Sequence, residues 1–142
     1  MTSLRRRTLL RSTALAGATA IAGCLGDNTD YVDAWSDVER IKLGATANRW
    51  IGIEPEPIAG TQNPTLRLVH GRRYELEWVN QDGEEHVFLV RNHEDDTIYE
   101  SDTVTQEDET AAVGIDAVAG VSYYTCPHYE VTMTGDIEIF ST

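Results

Sequence analysis

Short apolar runs separated by turn residues cover the chain from about residue 41 to its end. In residues 65–69 and 74–79 apolar and polar positions alternate, and this period of two predicts strands that are buried on one face. A cluster of turn residues follows the second run, at residues 80–83 (NQDG). No segment carries an apolar stripe with helical spacing that is long enough to predict a helix. The pattern therefore predicts an all-β sandwich or barrel. The predicted strands lie within residues 41–43, 50–53, 65–69, 74–79, 86–90, 97–99, 110–115, 121–125 and 136–140.

The first 23 residues have a different pattern. Arginines at positions 5–7 precede a weakly apolar run, residues 14–23, which is shorter than the roughly 20 apolar residues of a membrane-spanning helix. This arrangement predicts an export signal, and the adjacent arginines resemble a twin-arginine signal. Residues 21–24 (IAGC) resemble a lipobox, so Cys24 is expected to become a lipid-modified N-terminus. The alternative is an ordinary secretory signal with an incidental cysteine.

Residues 24–40 are polar and acidic. Because such a segment has little apolar surface to bury, it is predicted to be a flexible tether. Trp35 falls within it and is expected to be exposed. The chain is thus divided into a twin-arginine lipoprotein signal peptide (1–23), a flexible acidic tether (24–40) and a folded domain (41–142). The lipid would hold this domain at the outer face of the cell membrane.

The chain is strongly acidic. It carries 11 basic and 24 acidic residues, a formal net charge of −13. Residues 1–23 hold four of the 11 basic residues and no acids, so 7 basic against 24 acidic residues leave −17 for the remainder. Such a surface would repel a phosphate backbone, and we expect no binding of nucleic acid. The acids are spread along the whole domain, which favours adaptation to very high salt over a docking site for a basic partner.

The region before the C-terminus holds the residues with metal-binding chemistry. Cys126, His128 and Met133 lie close together in the sequence, and His86 lies upstream. A thiolate, two imidazoles and a thioether suit a single electron-carrying copper, because the sulfurs favour Cu(I) and imidazole accepts both oxidation states. If Cys24 carries lipid, Cys126 has no disulfide partner, and metal ligation explains the lone thiol. The alternative is that Cys126 and Met133 are ordinary core residues.

Two stretches, residues 80–88 (NQDGEEHVF) and 123–135 (YYTCPHYEVTMTG), resemble the cupredoxins, the small blue copper proteins. Among these, the resemblance is to the plastocyanin-like halocyanins of salt-loving archaea. Residues 63–66 (NPTL) add a weaker similarity, and the likeness spans about residues 41–142. It implies a Greek-key β-sandwich of about seven to eight strands that carries single electrons on one mononuclear type 1 copper. The metal ligands that it implies are His86, Cys126, His128 and Met133.

One spacing departs from that family. Its members generally place at least two residues between the cysteine and the following histidine, whereas here only Pro127 separates Cys126 from His128. Tyr129 occupies the position where the histidine usually lies. Either the loop bends so that His128 still reaches the metal, which we expect because no other histidine is local, or His128 misses it. In the second case Tyr129 or Glu130 would lie near an altered site.

Other polar residues are expected to have ordinary roles. Asn80 could orient a metal ligand through a hydrogen bond, but turn formation is the simpler interpretation. His70 and His93 lie in predicted turns and are expected to be solvated.

The leading functional hypothesis is a membrane-tethered carrier that passes single electrons between redox partner proteins at the membrane surface, as a monomer. A copper enzyme is not expected, because further copper ions need several more histidines and the chain has four in all. The alternative is an extracytoplasmic copper-binding or copper-delivery protein, or a cupredoxin-like module with a modified or lost copper site. The short step from Cys126 to His128 favours that alternative.

Overall fold

The computed structural model describes residues 34–46 and 48–141. Within these residues the chain forms nine strands and two short 3₁₀ turns. Each predicted run overlaps one strand, but the strand predicted at residues 86–90 begins only at Leu89. The strands are β1 (Arg40–Thr46), β2 (Arg49–Glu54), β3 (Leu66–Val69), β4 (Arg73–Asn80), β5 (Leu89–Asn92), β6 (Thr97–Glu100), β7 (Thr110–Asp116), β8 (Val121–Thr125) and β9 (Thr134–Phe140). The 3₁₀ turns are Glu56–Ile58 and Pro127–Tyr129.

The strands belong to two sheets. One has the order β2-β1-β4-β7 and the other the order β3-β9-β8-β5-β6. Strand β1 runs parallel to β4, and β3 runs parallel to β9, whereas the other neighbours are antiparallel. Side chains from both sheets contribute to one hydrophobic core. Two sheets around a shared core form a β-sandwich, so the prediction of an all-β sandwich is confirmed, with nine strands in the described residues.

The alternation of residues along β4 builds the centre of the core. Tyr74, Leu76 and Trp78 are fully buried, and the residues between them are exposed or half-buried. Trp78 meets Trp50 of β2 edge-on, with ring centroids 5.4 Å apart. Trp50 meets Phe88 in the same way at 5.2 Å. Because edge-to-face pairs add stability beyond burial, these rings hold β2 and β4 firmly against the segment that leads into β5.

Residues 34–36 form a helical turn before β1. Trp35 in this turn is fully buried and belongs to the core. The prediction that Trp35 is exposed on the tether is therefore wrong, since one indole buries enough apolar surface to hold a short polar segment on the domain. This turn belongs to the same compact unit as the strands.

The predicted signal peptide (1–23), the predicted lipidation site Cys24 and residues 25–33 of the tether lie outside the described residues. In the part of the chain that the structure describes, no helix has the length and apolar character needed to cross a membrane.

Asn63 joins β2 to the loop before β9. Its Oδ1 accepts a hydrogen bond from the main-chain N–H of Trp50 at 2.9 Å, and its Nδ2 donates to the carbonyl of Thr132 at 2.8 Å. The φ angle of Asn63 is 45°, in the left-handed region that asparagine tolerates better than most residues. Asn63 therefore holds the end of this loop, just before Met133, against the first sheet.

Candidate metal centre

The turn after β4 leads the chain to His86. Asn80 is fully buried, and its Oδ1 accepts hydrogen bonds from the main-chain N–H groups of Asp82 at 3.1 Å and Gly83 at 2.8 Å. Its Nδ2 donates to the carbonyl of Glu84 at 2.7 Å. These contacts are the turn chemistry expected of asparagine. Asn80 therefore shapes the turn that leads to His86.

His86 forms an isolated antiparallel bridge with Val104, and β5 begins only at Leu89. The main chains of His86 and Val104 exchange two hydrogen bonds, of 3.0 and 2.9 Å. The imidazole is fully buried, and its ring centroid lies 6.4 Å from that of Trp50 and 6.5 Å from that of Trp78. The position of His86 is thus fixed by main-chain hydrogen bonds and by the aromatic core.

The loop between β8 and β9 folds back on Cys126. The main-chain N–H of Cys126 donates to the carbonyl of Met133 at 3.1 Å, and the N–H of Tyr129 donates to the carbonyl of Cys126 at 3.0 Å. Trp50 Nε1 donates to the same Met133 carbonyl at 3.2 Å. Cys126 and Met133 are both fully buried. The main-chain hydrogen bond between Cys126 and Met133 therefore closes the loop at its base.

The Sγ of Cys126 lies 3.8 Å from the Nδ1 of His86. A thiolate about 2.3 Å and an imidazole nitrogen about 2.0 Å from one metal ion, at an angle of roughly 110–120°, would be about 3.5–3.7 Å apart. The observed separation therefore suits two donors that share an ion. The fold brings these two residues together although they lie 40 positions apart in the chain.

Asp82 contacts the other nitrogen of the same imidazole. Its Oδ1 and Oδ2 lie 3.0 and 3.2 Å from the Nε2 of His86. Because an ionised carboxylate only accepts hydrogen bonds, this contact favours a hydrogen on Nε2, and Nδ1 faces the sulfur of Cys126. Asp82 is not among the site residues predicted from the sequence, because its place in an Asn-Gln-Asp-Gly turn already explains it locally. The available signal was a carboxylate four residues before the histidine.

His128 does not join the pair of Cys126 and His86. Its side chain is 44% exposed, and its Nε2 lies 3.2 Å from the Oε2 of Glu85. Among the described residues, no three His, Cys, Asp or Glu side chains are grouped so that they could hold one metal ion. Because a 3₁₀ turn begins directly after Cys126, a histidine only two positions further lies on the exposed part of the loop.

Tyr129 lies beside the buried imidazole instead. Its side chain is half-buried, and its ring centroid is 5.4 Å from that of His86. Partial burial, together with the charges of Glu84, Asp82 and other neighbours, raises the pKa of Tyr129. The phenol therefore keeps its proton at neutral pH. Tyr129 covers one side of the His86 ring.

The remaining candidates lie outside this pair. Glu130 is exposed, and its carboxylate pairs with Arg91 at 3.4 Å. His70 and His93 are exposed, as predicted. Of the four predicted donors, His86, Cys126 and Met133 are therefore buried and His128 is exposed.

Comparisons with solved structures give three informative likenesses. Auracyanin B matches with a TM-score of 0.56 at 16% identity, over 72% of this chain and 88% of that one. Auracyanin A, a "blue" copper protein from Chloroflexus aurantiacus, matches with a TM-score of 0.52 at 16% identity, over 71% of this chain and 98% of that one. The copper protein rusticyanin matches with a TM-score of 0.56 at 16% identity, over 71% of this chain and 76% of that one.

No protein-family model matches the chain, and no curated protein sequence matches it. At the low identities above, the structural likeness concerns the fold alone. It agrees with the two sheets described here and with the resemblance of residues 80–88 and 123–135. The chain therefore has the cupredoxin fold.

Proposed function

We propose that the chain is a small blue copper protein that transfers single electrons through one type 1 copper. The observation that carries this proposal is the buried contact between Cys126 and His86, with 3.8 Å between Sγ and Nδ1, inside a cupredoxin fold. A thiolate and a neutral imidazole are donors that both Cu(II) and Cu(I) accept. The copper, when bound, supplies the one-electron redox step.

The contribution of the protein is to hold the donors still and to exclude water. Cys126 is joined to Met133 through its main chain, and His86 is joined to Val104 in the same way. The donor side chains Cys126, His86 and Met133 are fully buried. Donors fixed in this manner suit electron transfer, because the two oxidation states can then share one coordination geometry. Met133 would supply a weakly bound thioether.

His128 would supply the second imidazole. His128 is exposed and lies outside the pair of Cys126 and His86, so its side chain would have to move toward the metal and leave Glu85. An exposed ion pair contributes only about 0–1 kcal/mol, which is little beside a metal–imidazole bond. Glu85 directly precedes His86, and His128 lies two residues after Cys126. The exchange would require a rearrangement of the Pro127–Tyr129 turn, which carries His128.

We also propose where the protein works. Residues 1–23 would direct export by the twin-arginine route, and a lipid on Cys24 would anchor the chain at the outer face of the cell membrane. There it would exchange electrons, as a monomer, with redox partner proteins. The net charge of −13 suits a medium of very high salt. An enzymatic role is not part of the proposal, since the chain has four histidines and two of them are already used here.

A second candidate function is Cu(I) binding for delivery or storage, and the pairing of His128 with Glu85 favours it. Without His128, the donors are one imidazole, one thiolate and one thioether. Such a soft set favours Cu(I) over Cu(II). A module that has lost its copper site is the limiting case, in which neither ion binds.

Copper titrations of the chain from residue 24 onward, carrying Cys24→Ser, distinguish these functions. The carrier predicts an intense visible thiolate-to-copper band with Cu(II) and a reversible one-electron midpoint potential. In that case His128→Ala removes or shifts the band, whereas the control His93→Ala, at an exposed histidine, leaves it unchanged. The delivery protein predicts a colourless Cu(I) complex that is insensitive to His128→Ala. Binding of neither ion would refute both functions.

A further inference from the structure

The carboxylate of Asp82 contacts the fully buried imidazole of His86 on the side away from Cys126. Its two oxygens lie 3.0 and 3.2 Å from Nε2. The Asp82 side chain is 19% exposed, so water and salt screen this contact only partly. Contacts of this kind are stronger than ion pairs on an open surface. Asp82 is not among the donors proposed above.

The turn that contains Asp82 fixes its carboxylate. The main-chain N–H of Asp82 donates to Asn80 Oδ1 at 3.1 Å, and Asp82 Oδ1 accepts the N–H of Glu84 at 2.9 Å. Asn80 Nδ2 donates to the carbonyls of Glu84 at 2.7 Å and of Val104 at 3.2 Å. Val104 also pairs with the main chain of His86. Asp82 and His86 are therefore held by the same hydrogen-bond network.

We propose that Asp82 is a positioning residue that holds His86 as its Nε2–H tautomer and directs Nδ1 toward Cys126. The proposal rests on the proposed function, since it concerns the nitrogen that would bind copper. A carboxylate that accepts the Nε2–H bond leaves the lone pair of Nδ1 free for a metal. Its charge also makes the imidazole a stronger donor. This favours Cu(II) over Cu(I), and Asp82 therefore lowers the midpoint potential.

Two substitutions separate this role from a merely structural ion pair, which would stabilise the turn without affecting the tautomer or the potential. Asp82→Asn keeps an oxygen that can accept both the Nε2–H of His86 and the N–H of Glu84, but it removes the charge. Asp82→Ala removes both the charge and the acceptor. Glu84→Gln is the matched control, because Glu84 is an exposed carboxylate in the same turn.

The first measurement is ¹⁵N NMR of the His86 ring before copper is added, in the chain from residue 24 onward with Cys24→Ser. Wild type, Asp82→Asn and Glu84→Gln are expected to show the Nε2–H tautomer. Asp82→Ala is expected to show a mixture of tautomers. Thermal unfolding of each variant checks that it is folded, and Asp82→Asn still tests the potential if Asp82→Ala does not fold.

The second measurement is the affinity for Cu(II) and for Cu(I), with the midpoint potential of each variant. Asp82→Ala is expected to weaken Cu(II) binding by about 10- to 100-fold. Asp82→Asn is expected to lower the ratio of Cu(II) to Cu(I) affinity by about tenfold, which raises the one-electron potential by about 59 mV. Glu84→Gln is expected to change this ratio by less than about twofold.

Several results would overturn the proposal. They are an Nδ1–H tautomer in wild type, an unchanged tautomer in Asp82→Ala, an unchanged potential in Asp82→Asn, or equal shifts in Asp82→Asn and Glu84→Gln. If the wild-type chain binds no copper, the proposed function fails by itself. The tautomer measurement then decides alone whether Asp82 directs His86 toward Cys126.

Discussion

Trp50 Nε1 donates a hydrogen bond to the main-chain carbonyl of Met133, which lies 3.2 Å away and 83 residues later in the chain. The same carbonyl accepts the N–H of Cys126 at 3.1 Å. One oxygen thus joins the aromatic core to the loop that carries both sulfur donors. We therefore expect the candidate centre to lose its geometry when the core unfolds, and not by local opening of the loop.

Trp50→Phe tests this link. The substitution removes the indole donor and part of a buried ring, so we expect the free energy of unfolding to fall by about 2–4 kcal/mol. Urea unfolding measures this change. Trp78→Phe is the control, because Trp78 Nε1 donates to Ser101 Oγ at 3.0 Å and has no hydrogen bond to the loop. Both variants should lose stability, and Trp50→Phe should weaken copper binding more. Equal losses of copper affinity would contradict the link.

Glu85→Gln tests the competition for His128. We expect His128 to leave Glu85 when its exposed side chain moves to the metal, and such a pair contributes at most about 1 kcal/mol. We therefore expect Glu85→Gln to raise the Cu(II) affinity by about 2- to 5-fold. Glu75→Gln controls for the loss of one charge, since Glu75 on β4 pairs with Arg40 on β1. A Cu(II) affinity that falls or stays constant in Glu85→Gln would exclude this competition.

The buried hydroxyl of Tyr124 predicts a loss of stability at alkaline pH. This hydroxyl donates to the carbonyl of Pro64 at 2.5 Å. Burial, and then the charge of Asp136, raises the pKa of Tyr124 well above its ordinary value of 10.0. Because the folded state holds the phenolic proton more tightly than the unfolded chain, this stabilisation is complete below about pH 10 and is lost as the pH rises above it.

Tyr124→Phe should cost about 1 kcal/mol near neutral pH and should reduce the fall in the free energy of unfolding above about pH 10. Denaturant unfolding at about pH 7 and about pH 11 measures both effects. Tyr123→Phe is the control, since Tyr123 is only half-buried on the same strand, and this variant should keep the alkaline fall. An equally steep fall in Tyr124→Phe would show that Tyr124 does not cause it.

Gly52→Ala tests how closely β2 packs against the segment that leads to Asn63. A methyl group on Gly52 would overlap the carbonyl oxygen of Ile58. Gly52→Ala should therefore lower the free energy of unfolding by about 3 kcal/mol or more. Gly60 has a φ of 78° and nothing within 4 Å of such a methyl group, so Gly60→Ala should cost only about 1–2 kcal/mol. Thermal or urea unfolding measures the stability of both variants. Equal losses of stability would contradict this packing.

The strands could be predicted because their signal is local. Tyr74, Leu76 and Trp78 alternate with polar residues, and this period is visible without any knowledge of the neighbouring strands. Trp35 gave no such signal, because one large apolar residue among polar neighbours has no period. Its burial depends on a hydrophobic site that only the assembled sandwich provides.

The chemistry of the candidate centre could be read from residue types, but its geometry could not. Cys126 and His86 stood out as donors, whereas Asp82 looked like an ordinary turn residue. Its contact with His86 depends on the path of the turn in space. For His128, a spacing of one residue allowed either outcome, and the 3₁₀ turn after the cysteine decides that His128 is exposed while Tyr129 is half-buried.

The shared binding of one copper ion by Cys126 and His86 is tested most directly by X-ray absorption at the copper edge. The samples are the copper-loaded chain from residue 24 onward with Cys24→Ser, and the same chain with Cys126→Ser or His86→Ala. We predict one short sulfur distance of about 2.3 Å together with nitrogen at about 2.0 Å. The short sulfur distance should vanish in Cys126→Ser, and the nitrogen contribution should fall in His86→Ala. A copper ion bound by nitrogen and oxygen alone in the parent chain, or a short sulfur distance that survives Cys126→Ser, would contradict the proposal.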